Sequence, residues 1–132
     1  MHIILPLHPR TKNILKEYKL SEKLNAVEVI EPQSYLDMIA LEKSAKVILT
    51  DSGGIQKEAF FYQVPCVTMR DETEWRETIE SGWNVLVGAD SNSIVKNVRN
   101  FYENAPRLCS EKPYGNGDAS LKIIDAIYRE FN

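Results

Sequence analysis

The sequence predicts an α/β fold: a doubly wound, Rossmann-like parallel sheet of about five strands forming one domain over residues 1–132. Three observations predict it. Short apolar runs alternate with amphipathic stretches along the whole chain, and that spacing calls for parallel strands with helices on both faces. The central runs, "KVILT" and "CVTM", lack the polar alternation of a half-solvated strand. A length of 132 residues suits a single domain with a real core, with no linker, repeat or low-complexity segment dividing it.

The elements follow in order. "HIILPL" (2–7) reads as a strand and "TKNILKEYKL" (11–20) as a helix. "AVEVIE" (26–31) is the second strand, followed by a helix over "SYLDMIALEKSA" (34–45) with Ser34 as its N-cap. "KVILT" (46–50) is a buried strand, "IQKEAFFYQ" (55–63) a helix and "CVTM" (66–69) another buried strand. A short helix over "EWRETIES" (74–81) is stopped by Gly82. "NVLVG" (84–88) is the last strand, and "SNSIVKNVRNFYEN" (91–104) a helix opened by Ser91 or Ser93. Residues 105–117, with two prolines and two glycines, form a loop before a closing amphipathic helix over 119–131.

Composition excludes several function classes. A formal charge of −3 argues against a dedicated nucleic-acid binder, which would present a basic face. No apolar run is long enough to span a membrane and no signal peptide opens the chain, so a cytoplasmic location is expected. Cys66 falls in an apolar strand as a small buried residue and Cys109 in a polar segment. Two cysteines at that spacing make neither a disulfide framework nor a metal site.

In parallel α/β sheets ligands bind beyond the carboxyl ends of the strands. One such end reads "TDSGG" (50–54). Gly53 and Gly54 carry no Cβ, so the backbone can take demanding dihedrals and a ligand can approach it closely. A helix starting near Ile55 would offer unpaired amides and a positive dipole end, and Ser52 a hydroxyl. Those parts suit a diphosphate. Glu58, one turn deeper on the same helix face, is placed to accept hydrogen bonds from the vicinal diol of a ribose. A plain tight turn and an acid placed for the helix dipole remain the alternative at these positions, and Asp51 reads as a helix cap. Arg70 can face the site or pair with Asp71 or Glu72, the ion pair being the expected arrangement, and His8, Trp75 and Trp83 are expected to serve structure before chemistry.

Beyond single residues, the stretch from Thr50 to Gly88, "TDSGGIQKEAFFYQVPCVTMRDETEWRETIESGWNVLVG", resembles the non-hydrolysing UDP-N-acetylglucosamine 2-epimerases. "PLHPRT" (6–11), "EPQSYLDMIAL" (31–41) and "PYGNGDAS" (113–120) match that family in the same order. The resemblance implies the C-terminal lobe of a two-domain, glycosyltransferase-B type fold. The implied chemistry is reversible inversion at C2 of a UDP-sugar: UDP is eliminated with the C2 proton, then adds back as C2 is reprotonated on the other face. No cofactor or metal is implied.

Carried over by position, Ser52, Gly53 and Gly54 would hold the diphosphate and Glu58 the ribose, while Gln33 and Met38 would meet the uridine. Met38 stands where phenylalanine is common, so backbone contacts to uracil are what carries over. Trp75 takes a position often held by arginine in "TERPE"; here the text is "TEWRE", and that contact is lost unless Arg76 supplies it. The tryptophan variant also resembles epimerases acting on UDP-2,3-diacetamido uronic acid sugars. His8 matches a histidine linked to a second, regulatory UDP-sugar site, and the roles of Arg10, Arg70 and Arg76 stay open. The family's catalytic carboxylates and its "HRRE" motif belong upstream of "PLHPRT" and are absent here. The resemblance thus implies a piece of a longer protein, or half of a split one, inactive without an N-terminal lobe; full-length relatives are usually homodimers. The donor-binding lobe of a glycosyltransferase and a non-catalytic nucleotide-sugar binding module are the competing readings.

Overall fold

A computed structural model describes residues 1–107 and 112–131. Cys109 and part of the loop expected over 105–117 lie outside those residues. The architecture is α/β with every strand pairing parallel, as expected. The five strands form a two-stranded and a three-stranded sheet rather than one ladder. They fall in two compact units, Met1–Ser44 and Ala45–Asn132.

The first unit runs β1 (Ile4–Pro6), α1 (Pro9–Glu17), a 3-10 turn (Ser21–Leu24), β2 (Glu28–Ile30) and α2 (Tyr35–Ser44). β1 and β2 align Ile4 with Glu28 and Pro6 with Ile30. Flanking bonds, Glu28 N to the Ile3 carbonyl and Leu7 N to the Ile30 carbonyl, extend the ladder toward the wider strand ranges expected. α1 opens two residues before the expected start because the chain carries its own start signal there. His8 is the extended N-cap, its Nδ1 accepts from Arg10 N at 3.2 Å, and Pro9 brings a preset φ and no orphan donor. Lys19, with φ at 55°, turns the chain out of the helix. Ser34 caps α2 as expected: its hydroxyl accepts from Asp37 N and donates to the Asp37 carboxylate at 2.6 Å.

The second unit runs β3 (Ile48–Thr50), α3 (Gly53–Tyr62), β4 (Cys66–Thr68), α4 (Arg76–Glu80), β5 (Asn84–Leu86), α5 (Ser91–Glu103) and α6 (Ala119–Phe131). β4 is central, with Val67 opposite Leu49 on one side and Val85 on the other. All three of its residues are buried, as a central parallel strand requires, whereas Leu49 on the flanking β3 is exposed. Ile48, Ala59, Val64 and Cys66 form the core, with Ala45, Ile55 and Tyr62 packed on it. Gly82, at φ 78°, ends α4 as expected. Asp90, not Ser91 or Ser93, caps α5, its side chain accepting from Ser93 N at 2.7 Å. α6 forms over the expected residues, yet none of them is buried and Leu121, Ile124, Tyr128 and Phe131 are all exposed.

Candidate functional site

The end of β3 corrects the sequence reading in one respect: α3 begins at Gly53, not near Ile55. Ser52 holds the N-cap position in an extended conformation, and Gln56 N closes the first turn on the Ser52 carbonyl at 3.3 Å. Gly53 and Gly54 are therefore the first helical residues, and neither takes a positive φ. Their lack of a side chain serves close approach, not strain. A Cβ on Gly53 would stand 2.6 Å from the Glu74 carboxylate; one on Gly54 would meet only Ser52 Oγ at 3.8 Å. Asp51 is exposed and is not the cap, and the Ser52 hydroxyl caps nothing.

Helix geometry leaves the amides of Gly53, Gly54 and Ile55 without an intrahelical acceptor, at the positive end of the dipole. Ser52 N is held differently, donating to Thr50 Oγ1 at 3.1 Å. Ser52 and Gly53 are half-buried, with the Glu74 and Arg70 side chains over Gly53, and Gly54 is exposed. Glu58 sits about 6 Å further along the axis on the same face, half-buried. Among the described residues its carboxylate has no hydrogen-bond or ion-pair partner. The structure thus places Ser52, Gly53 and Gly54 at the start of α3, with Glu58 one turn along the same helix.

A buried polar network fixes this turn, and the sequence reading missed it. Gln56, fully buried, donates from Nε2 to the Ser52 carbonyl at 3.3 Å. Its Oε1 accepts from Thr73 Oγ1 at 2.7 Å and Asn84 Nδ2 at 3.2 Å. Asn84 also accepts from Thr68 at 2.7 Å and donates to Thr78 at 3.0 Å. Thr73 in turn accepts from Trp75 N at 3.1 Å. Two amides, Gln56 and Asn84, thereby tie the start of α3 to β4, β5 and the segment holding Trp75, at a depth where polar groups need partners. The available signal was a glutamine on the apolar face of α3 and an asparagine opening an apolar strand.

Trp75 is engaged by residues of its own unit. The Lys57 ammonium lies 4.3 Å from the centroid of its ring and 4.7 Å from that of Tyr114, and the two rings meet edge-on at 6.2 Å. Its indole N–H is buried without a partner among the described residues. Tyr114, from "PYGNG", also packs on Phe60 and Phe61 and donates to Glu77 at 3.3 Å. Burial, then the Glu77 charge, pushes its phenol up to about 12. Arg76 opens α4 and is exposed. Trp83 is core. Arg70 pairs with Glu74 at 3.2 Å, not with Asp71 or Glu72, because the non-helical turn after β4 brings residue 74 back to it.

The remaining candidates lie in the first unit. Gln33 is exposed, its amide folded back onto the Glu31 carbonyl at 2.6 Å. Met38 is half-buried in the first turn of α2. His8 is exposed and its Nδ1 is engaged in capping α1. Among the described residues no group of three or more His, Cys, Asp or Glu is arranged to hold a metal ion. No helix among them is long and apolar enough to cross a membrane.

Comparison with known proteins adds to this geometry. A family model described as UDP-N-acetylglucosamine 2-epimerase matches residues 1–128. A "UDP-N-acetylglucosamine 2-epimerase homolog" of Methanococcus maripaludis is 47% identical over 95% of this chain, which spans 35% of that protein. A Pseudomonas aeruginosa protein named UDP-2,3-diacetamido-2,3-dideoxy-D-glucuronate 2-epimerase is also 47% identical, over 95% of this chain and 34% of its own length. The Methanocaldococcus jannaschii UDP-GlcNAc 2-epimerase, in its complex with UDP-GlcNAc and UDP, superposes with a TM-score of 0.83 at 42% identity, covering 97% of this chain and 36% of that one. The chain thus spans about a third of the length of the curated relatives it matches.

Proposed function

The chain belongs to the UDP-N-acetylglucosamine 2-epimerase family, and from that premise we propose that it is the UDP-binding lobe of an enzyme that reversibly inverts C2 of UDP-N-acetylglucosamine. One observation carries the proposal. The amides at the start of α3 have no intrahelical acceptor, and one helical turn away the Glu58 carboxylate has no partner among the described residues. In the reaction, loss of the C2 proton and of UDP gives an unsaturated sugar, to which UDP must return. A lobe that keeps the departing UDP in place makes that return intramolecular in effect.

Each residue has a physical task. The amides of Gly53, Gly54 and Ile55 and the Ser52 hydroxyl hold the diphosphate, whose charge grows as the C1–O bond breaks. Glu58 accepts from the ribose hydroxyls, and Trp75 closes the sugar side with Lys57 and Tyr114 behind it. Proton transfer at C2 falls to carboxylates of a second, N-terminal lobe. The complete enzyme is a homodimer of the cytoplasm, and the lobe alone catalyses no epimerisation. His8 belongs to a second UDP-sugar site on the first unit.

Calorimetric titration with UDP, UMP, uridine and inorganic phosphate tests the reading, comparing native protein with Glu58→Ala. The variant is expected to lose about 1–3 kcal/mol for UDP, UMP and uridine, as when a charged hydrogen-bond partner is removed. Its affinity for inorganic phosphate stays unchanged. Equal UDP affinity of the two proteins refutes the ribose role.

A further inference from the structure

We infer that Arg70 is a further diphosphate-binding residue, which Glu74 occupies until the ligand arrives. The inference rests on the UDP-binding reading above and deepens it. Arg70 Nη1 donates to Glu74 Oε2 at 3.2 Å. The same two side chains converge on the first residue of α3: a Cβ on Gly53 would lie 2.6 Å from Glu74 Oε1 and 3.6 Å from Arg70 Nη1. The pair therefore covers the spot where the backbone is barest. A carboxylate there is favoured by the positive end of the helix, as a phosphate would be.

The backbone of Arg70 is fixed by its neighbours, and its side chain is held by Glu74 alone among the described ion pairs. Met69 N donates to the Thr50 carbonyl, and the Arg70 carbonyl accepts from Gly88 N at 3.2 Å, so the chain leaves the end of the central strand β4 on a set course. That end is where parallel α/β sheets receive ligands. The guanidinium is a third exposed and the Glu74 side chain about half, so the acid can swing into solvent without breaking core contacts. A diphosphate carries more charge than one carboxylate, and guanidinium forks match phosphate oxygens in pairs. The ligand then displaces Glu74 from both the helix end and Arg70. Binding at this site becomes an exchange of one anion for another.

Titration of the full chain with UDP and with uridine tests this, using native protein, Glu74→Gln, Arg70→Ala and Arg70→Lys. Glu74→Gln is expected to tighten UDP about twofold to fivefold, the scale of an exposed ion pair, and to leave uridine unchanged. Arg70→Ala should weaken UDP about tenfold or more without affecting uridine, and Arg70→Lys should recover part of that loss. Unchanged UDP affinity in Glu74→Gln, or equal losses for UDP and uridine in Arg70→Ala, overturns the inference. Should Arg70→Ala fail to fold, Glu74→Gln decides alone. Native protein that binds no UDP sinks the UDP-binding reading itself, whereas native binding with insensitive variants sinks only the exchange.

Discussion

Gly53→Ala separates ligand binding from folding. Gly53 has no positive φ, so alanine fits the backbone, and alanine in a helix gains about 0.5–1 kcal/mol over glycine. The new methyl would meet Glu74 Oε1 at 2.6 Å, but that atom is the end of a flexible, half-exposed side chain that can rotate away. Losing the exposed Arg70–Glu74 pair costs at most about 1 kcal/mol. The two changes offset each other, so stability should stay within about 1 kcal/mol of native. In binding, freeing Arg70 from Glu74 recovers only about twofold to fivefold of the loss that follows. A methyl on the first helical residue holds the diphosphate off its amides, at about 1.5–3 kcal/mol for hydrogen bonds to a charged group, or roughly tenfold to 150-fold in UDP affinity. Urea denaturation and titration calorimetry with UDP and uridine measure both sides. A variant that binds UDP as native does, or that loses uridine as strongly as UDP, refutes the reasoning.

Further outcomes follow from the same contacts. Gly88→Ala should cost about 1–2 kcal/mol in urea denaturation, since φ at that position is +57° and the new Cβ would crowd Asp71 Oδ1 at 2.7 Å. Asn84→Ala should cost about 1–3 kcal/mol by the same assay, because the buried Thr68 hydroxyl loses its oxygen acceptor and Gln56 and Thr78 each lose one of their hydrogen bonds. Tyr114 holds its proton up to about pH 12 against an ordinary value of 10, so the folded state keeps a proton that the unfolded chain releases. Its contribution to stability is present below pH 10 and lost as pH rises through 12; in Glu77→Gln, spectrophotometric titration should find that phenol ionising earlier, though burial keeps it above 10. Asp90 runs the other way: the Ser93 amide lowers its pKa, so the stability it contributes is present above pH 3.8 and lost as pH falls through the lowered value. Acid denaturation of Asp90→Ala should lack that component.

The alternation of apolar runs and amphipathic stretches made the strands and helices legible because each parallel connection must travel the length of a strand and return as a helix. Cys66, Ser34 and Gly82 behaved as local chemistry dictates. The start of α3 was read two residues late, because two glycines after a strand look like a turn while Ser52 in an extended conformation lets them enter the helix directly. α1 was read late for a related reason, a histidine cap being rarer than serine or aspartate. The Gln56–Asn84 network was illegible because its partners are spread from position 52 to 84, and no pattern along the chain marks polar groups that meet only after folding. The sequence offers Arg70 an acid next to it, whereas the turn after β4 puts its partner at Glu74. Ser52, Gly53, Gly54 and Glu58 were legible as a group because one turn and one helix hold them all.

The most direct measurement follows the backbone amides of the isotopically labelled protein by nuclear magnetic resonance while UDP is added, with uridine as the comparison. The amides of Gly53, Gly54 and Ile55 should shift together with a single saturation curve for UDP and far less for uridine, which lacks the diphosphate. Saturable binding of UDP that leaves those three amides unmoved contradicts the account.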